Sequence, residues 1–131
     1  MIVDSSALVA VLRDEPLADR ILDVLDGADR LAMGAPTYVE TCLVIDARKN
    51  PALSRHLDEL VAVADIEIVP FTAEHARRAR EAFREYGRGS GHPAHLNLGD
   101  CYSYAVASVA HEPLLFVGDD FTHTDIRAAL D

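Results

Sequence analysis

A small set of carboxylates occupies the positions where a metal-assisted reaction on a phosphate ester needs them. Asp4 directly follows the apolar run Met1-Ile2-Val3, and Asp119 and Asp120 follow Leu114-Leu115-Phe116-Val117 after Gly118. Asp100 opens a helical stretch behind a glycine, and Glu40 lies in the first turns of a helix that Pro36 begins. Magnesium is hard and small, and is usually held by one or two carboxylates, waters and a substrate phosphate. Held so, it activates water and neutralises charge on a transferring phosphoryl group. A further carboxylate binds a second ion or acts as general base. Converging carboxylates repel one another, so such a cluster implies a cation or raised pKa values.

Each residue also has a plainer reading. Asp4 can cap the next helix, Asp100 can complement a helix dipole, and Glu40 can be a solvated helix residue. One member of the Asp119-Asp120 pair reads as a turn residue. The weight lies in the set, because the aspartates fall at strand and helix ends.

The elements that must position them alternate along the chain. Met1–Asp4 reads as a short buried strand, and Ser5 or Ser6 caps a helix through Ala7, Leu8, Val11 and Leu12. Pro16 starts a second helix with Leu17, Ile21, Leu22 and Leu25 inward, stopping near Gly27. Arg30–Met33 is a second strand. The helix after Pro36 carries Val39, Leu43 and Ala47 on one face, and the helix after Pro51 carries Leu53, Leu57, Leu60, Val61 and Ala64. Ile66–Pro70 is a third strand. Thr72 caps a helix to Tyr86, with Ala76, Ala79, Phe83 and Tyr86 inward. A glycine-rich loop spans Gly87–Asn97, a helix runs from Gly99 to Ala110, Leu114–Val117 is the fourth strand, and a short helix covers Thr124–Leu130. Four short apolar strands separated by helices predict one α/β domain over residues 1–131, a three-layer α/β/α sandwich around a short parallel sheet. Ligands in such folds gather beyond the carboxyl ends of the strands.

Composition narrows the classes. Half of the 131 residues are hydrophobic, an ordinary globular balance, and one domain of this length buries a core unaided. No apolar stretch approaches the ~18 residues of a membrane span, and Asp4 interrupts the N-terminus where a signal peptide needs an apolar run. The expected location is the cytoplasm. Cys42 and Cys101 match no metal or redox spacing and read as small buried hydrophobes. The net charge of −10 argues against tight non-specific nucleic-acid binding but leaves room for a local basic patch. Arg77, Arg80, Arg84 and Arg88 share one helical face and form the one basic concentration. They read as a salt-bridged solvated face or as a phosphate-steering stripe. Gly87–Gly91 lacks the fingerprint of a phosphate loop, and His92 and His95 flank Pro93 without the spacing of a zinc site.

Four segments carry a resemblance. Ile2-Val3-Asp4-Ser5-Ser6-Ala7-Leu8, Ala35-Pro36-Thr37-Tyr38-Val39-Glu40 and the run from His95 through Asp100 to Ala105 resemble the first three motifs of PIN-domain ribonucleases. The segment Leu114–Ile126 resembles the closing motif of VapC-type toxins. The resemblance covers the whole chain in order. It implies a Mg²⁺-dependent endoribonuclease (Mn²⁺ being an alternative ion) that is the toxin of a toxin–antitoxin pair. It also implies an RNA substrate, a VapB-type antitoxin that inhibits, and a homodimer. Carried over, Asp4, Glu40 and Asp100 are acidic site residues, with Asp4, Asp100 and Asp119 on the metal. Asp119 is preferred to Asp120 because it comes first after the strand and its glycine. The rival reading is a catalytically weak module of the same fold, acting by antitoxin binding through helices at residues 17–25 and 53–64.

Overall fold

The computed structural model describes residues 1–130. In chain order the elements are β1 (Ile2–Val3), α1 (Ser5–Leu12), α2 (Ala18–Gly27), β2 (Leu31–Gly34), α3 (Ala35–Asp46) and α4 (Pro51–Val63). They continue with β3 (Ile66–Val69), α5 (Ala73–Tyr86), α6 (Leu98–Ala110) and β4 (Leu114–Leu115). The strands form one sheet in the order β3-β2-β1-β4, and every pair is parallel.

Alternation along these strands builds two cores. Ile2, Ala32 and Leu114 point to one face, where they meet Ala82 and Tyr86 of α5 and Tyr104 and Ala105 of α6. Val3, Leu31, Met33 and Leu115 point to the other, against Leu8 of α1, Ile21 and Leu25 of α2, Ile45 of α3 and Leu57 of α4. The sheet is therefore the middle of three layers. Ile21 and Leu57 are almost fully buried, and each such side chain contributes about 1.5–3 kcal/mol through area removed from water.

After β1 the chain adds β2 and β3 on one side, then returns with β4 on the other. The order of strands thus reverses at β1 and β4. At such a switch point the connections leave in opposite directions and open a crevice at the carboxyl ends of the strands. Asp4 leaves β1 into that crevice.

Several elements depart from the periodicity reading. The expected helix over Thr124–Leu130 does not form: the Leu114 amide bonds Arg127 O at 2.9 Å, and the Ala129 amide bonds Leu114 O at 2.9 Å. Pairing beside β4 satisfies backbone groups that a helix would otherwise satisfy. Val39 and Leu43 face outward, 54% and 64% exposed, and the buried face of α3 is Thr37, Thr41 and Ile45. Phe83 is 44% exposed, with Ala79, Ala82 and Tyr86 forming the inner face of α5. That helix ends at Tyr86, which leaves Arg88 beyond the helical stripe. The two cysteines are free thiols. No helix among the described residues is long and apolar enough to cross a membrane.

Candidate active site

The buried polar side chains of this protein are concentrated in one place. Among the described residues they are Asp4, Thr37, Thr41, Asp100 and Ser103, contributed by the N-terminus of α1, the inner face of α3 and the first turns of α6. Buried polar groups must find partners or leave a desolvation cost unmet. Asp4 finds several. Its Oδ2 accepts from the Ser6 amide at 3.1 Å and from the Ser6 hydroxyl at 2.6 Å. Its Oδ1 accepts from the Ser103 hydroxyl at 2.5 Å. Ser6 Oγ in turn accepts from the Val117 amide at 3.0 Å, which ties Asp4 to the segment leaving β4.

The capping and site readings of Asp4 and Asp100 therefore coincide. Asp4 is the N-cap of α1. Asp100 sits at the third position of α6 in a reciprocal capping box with Asn97: each side chain accepts the other's backbone amide, at 2.8 and 3.0 Å. Capping fixes both carboxylates to rigid helix ends.

Glu40 approaches from α3. Its Oε1 accepts from Ser5 Oγ at 3.1 Å, and its carboxylate lies so close to Gly99 that a Cβ at that position would collide with it. Glycine is required there by close approach, and it brings Glu40 beside Asp100.

The electrostatics report the same convergence. The Asp100 carboxyl is pushed up to about 6, first by burial, against the Asn97 amide, and further by the charges of Asp120, Asp4 and Glu40. Burial also raises Glu40, with the Ser5 hydrogen bond opposing and Asp4 adding to the rise. Of the closing pair, Asp119 makes the turn: its carbonyl accepts from the Thr122 amide at 3.2 Å and the Thr122 hydroxyl at 2.7 Å. Asp120 supplies the charge that reaches Asp100. Gly118, at φ +100°, makes the preceding bend in a conformation that L side chains rarely adopt.

A divalent cation suits this ring in a particular way. Among the described residues no three His, Cys, Asp or Glu side chains are grouped to hold a metal ion directly. The donors are hard oxygens around a mutually repelling set whose Asp100 proton affinity is raised. That chemistry fits a hydrated magnesium ion, which keeps several waters and takes one or two carboxylates. It does not suit zinc, which favours a closed nitrogen and sulfur set.

Ser103, Ser5, Ser6 and Thr37 went unremarked as site residues in the sequence. The signal for Ser103 was its spacing: three residues after Asp100, it lies on the same helical face. Thr37 Oγ1 lies 3.4 Å from Ser103 Oγ. His92 has a structural place, its Nδ1 accepting the Ala94 amide at 3.1 Å and its ring packing on Tyr86.

Comparison with known proteins agrees with this geometry. Residues 1–127 match the PIN domain, and the chain belongs to the PIN-domain family, within its VapC group. It is 52% identical over 129 residues to ribonuclease VapC42 of Mycobacterium tuberculosis, covering 98% of each chain. It is 50% identical over 131 residues to ribonuclease VapC28 of the same organism, covering 100% of this chain and 98% of that one. A toxin–antitoxin complex from Klebsiella pneumoniae shares the fold, with TM-score 0.71, 17% identity, and 99% and 98% of the two chains covered.

Proposed function

We propose that this protein is a Mg²⁺-dependent endoribonuclease, the toxin of a VapBC-type pair, with Asp4, Glu40 and Asp100 as its acidic site and Asp120 as the fourth member. The observation that carries the reading is the meeting of acidic side chains at the ends of α1, α3 and α6: Ser103 of α6 bonds Asp4, Ser5 of α1 bonds Glu40, and Glu40 lies against Gly99 beside Asp100. Its close relatives are named ribonucleases, which agrees. Asp4, Asp100 and Asp120 would hold the hydrated cation in part through its waters, and the backbone carbonyl of Asp119, first in sequence after Gly118, makes the turn. When bound, Mg²⁺ (or Mn²⁺) supplies a polarised water and charge neutralisation at the phosphate. The chain's own residues do the rest. Ser6 and Ser103 hold both Asp4 oxygens in place. Glu40, oriented by Ser5 and raised by burial, is placed to accept a proton from the attacking water. Hydrolysis of the phosphodiester leaves a 5′-phosphate and a 3′-hydroxyl.

Two apolar surfaces support the proposed protein partners. Leu22 and Leu25 of α2 and Leu60 and Val63 of α4 border a hollow of about 230 Å³, a groove of the kind an amphipathic antitoxin helix fills. Val39 and Leu43 form an exposed apolar edge on α3, which a second copy of the chain would cover in a homodimer.

The test is cleavage of a labelled RNA pool by purified, antitoxin-free protein, with Mg²⁺, with EDTA, and with Asp4→Asn. Cleavage present with Mg²⁺ and lost in both other arms is expected. A folded protein that cleaves equally in EDTA, or that cleaves no RNA in Mg²⁺ or Mn²⁺, overturns the reading in favour of an antitoxin-binding module.

A further inference from the structure

The arginines of α5 divide into two kinds. Arg78 is fully engaged with α6: its Nε donates to Ser108 Oγ at 2.9 Å, and a second nitrogen donates to Tyr104 Oη at 2.5 Å. Its third nitrogen pairs with Glu81 at 3.2 Å, and the guanidinium stacks 4.8 Å from the Tyr104 ring centre. That arginine is a structural clamp. Arg77, Arg80 and Arg84 are exposed and make no salt bridge among the described residues, and Arg80 and Arg84, one turn apart, border a common groove. In a chain of net charge −10, two cations without carboxylate partners on one helix edge call for a function.

Both line a groove of about 410 Å³ between α5 and α6 whose other walls are apolar, including Phe71, Phe83, Leu98 and Tyr102. Leu98, 63% exposed, is the first residue of α6 and lies two positions from Asp100. The groove therefore runs along the N-terminal turns of α6, the helix end that also carries Asp100. Phe71 and Tyr102 meet edge to face at 5.2 Å, which fixes the orientation of the two rings. Cations spaced along an apolar, aromatic-lined trough are the arrangement that holds single-stranded nucleic acid, phosphates on the guanidiniums and a base against the rings.

We propose that this groove is a nucleotide subsite, binding the single-stranded RNA segment that flanks the scissile phosphate, with Arg80 and Arg84 contacting its backbone and Phe83 and Leu98 its base. The proposal rests on the ribonuclease reading above and adds to it the residues that hold the flanking strand and the direction in which that strand leaves the site. An acidic peptide shares the charge but not the need for an aromatic-lined trough that runs to the helix end carrying Asp100.

The experiment measures Mg²⁺-dependent cleavage of a labelled single-stranded RNA of mixed sequence, and of its duplex, by the wild-type protein, the double variant Arg80→Ala/Arg84→Ala, and Phe83→Ala. The expected double variant keeps kcat and raises KM on the order of tenfold. The slope of log(kcat/KM) against log salt becomes shallower by about 1.4, the value for two lost single-strand phosphate contacts. Phe83→Ala raises KM and leaves that slope unchanged, and the wild-type protein favours the single strand over the duplex. If the wild-type protein cleaves but the double variant keeps both KM and salt slope, the subsite is wrong while the nuclease reading stands. If the double variant keeps RNA kinetics and loses binding to a polyglutamate peptide, the groove is a protein-docking surface and the subsite is likewise overturned. A wild-type protein that cleaves no RNA fails the ribonuclease reading itself.

Discussion

The packing of α2 and α4 on the sheet and the packing of α3 on α6 follow opposite rules. Under α2 and α4 the buried side chains are Ile21, Leu25 and Leu57, apolar groups that need no partner. Between α3 and α6 they are Thr37, Thr41, Ser103 and Asp100, with Asp4 beside them, and nearly every oxygen is engaged. The apolar side gains stability directly from area removed from water. The polar side must offset the desolvation of its carboxylates with hydrogen bonds, and Asp100 is left with a raised proton affinity. The place that packs least favourably is thus the place proposed above to hold a cation.

The comparison breaks most visibly at Asp4. Asp4→Asn should lower RNA cleavage by on the order of a thousandfold, about 4 kcal/mol of barrier, while circular dichroism shows a retained fold. On the apolar side, Ile21→Ala should cost about 2–5 kcal/mol of unfolding free energy in a urea titration, with kcat per folded molecule unchanged. Ser103→Ala belongs between these behaviours. It removes a hydroxyl donor from Asp4, and cleavage should fall roughly 10–100-fold with a stability loss of about 1–2 kcal/mol.

The smallest effect sharpens the contrast because its sign is reversed. Asp100 is raised from 3.8 to about 6, so the folded state holds this proton more tightly than the unfolded one. Its contribution to stability therefore falls as pH rises from about 4 to about 6 and stays low above that range. Asp100→Asn keeps an oxygen for the Asn97 amide and removes the repelled charge. In EDTA at pH 8 its melting temperature should exceed the wild-type value by roughly 3–6 °C, and the gap should close towards pH 4. A variant that melts below the wild type at pH 8 would show that the carboxylate is not under strain.

Most of the sandwich was legible because apolar periodicity is strong where a residue faces one core only. Leu8, Ile21, Leu25 and Leu57 sit where the pattern puts them. The reading failed where the inner face is polar. In α3 the apolar Val39 and Leu43 marked the wrong side, since Thr37 and Thr41 are buried and periodicity counts them as surface. It failed again at the C-terminus, where 124–130 has helix-forming composition but a free edge of β4 competes for its backbone groups. In the candidate site, motif and strand end singled out Asp4, Glu40 and Asp100, and the fold brings these three side chains together. The choice between Asp119 and Asp120 was not legible, because it depends on how the turn after Gly118 aims the two side chains, and the sequence does not spell out that turn, which Thr122 closes on the Asp119 carbonyl.

Whether the acidic ring holds a divalent cation is tested most directly, and without any RNA, by binding of Mn²⁺ followed by electron paramagnetic resonance. Wild-type protein is expected to deplete the free Mn²⁺ signal, Mg²⁺ to compete for the same site, and Asp4→Asn and Asp100→Asn, folded by circular dichroism, to abolish or greatly weaken the binding. Wild-type protein that leaves the free signal unchanged, or variants that bind as tightly as wild type, would contradict the proposed cation site.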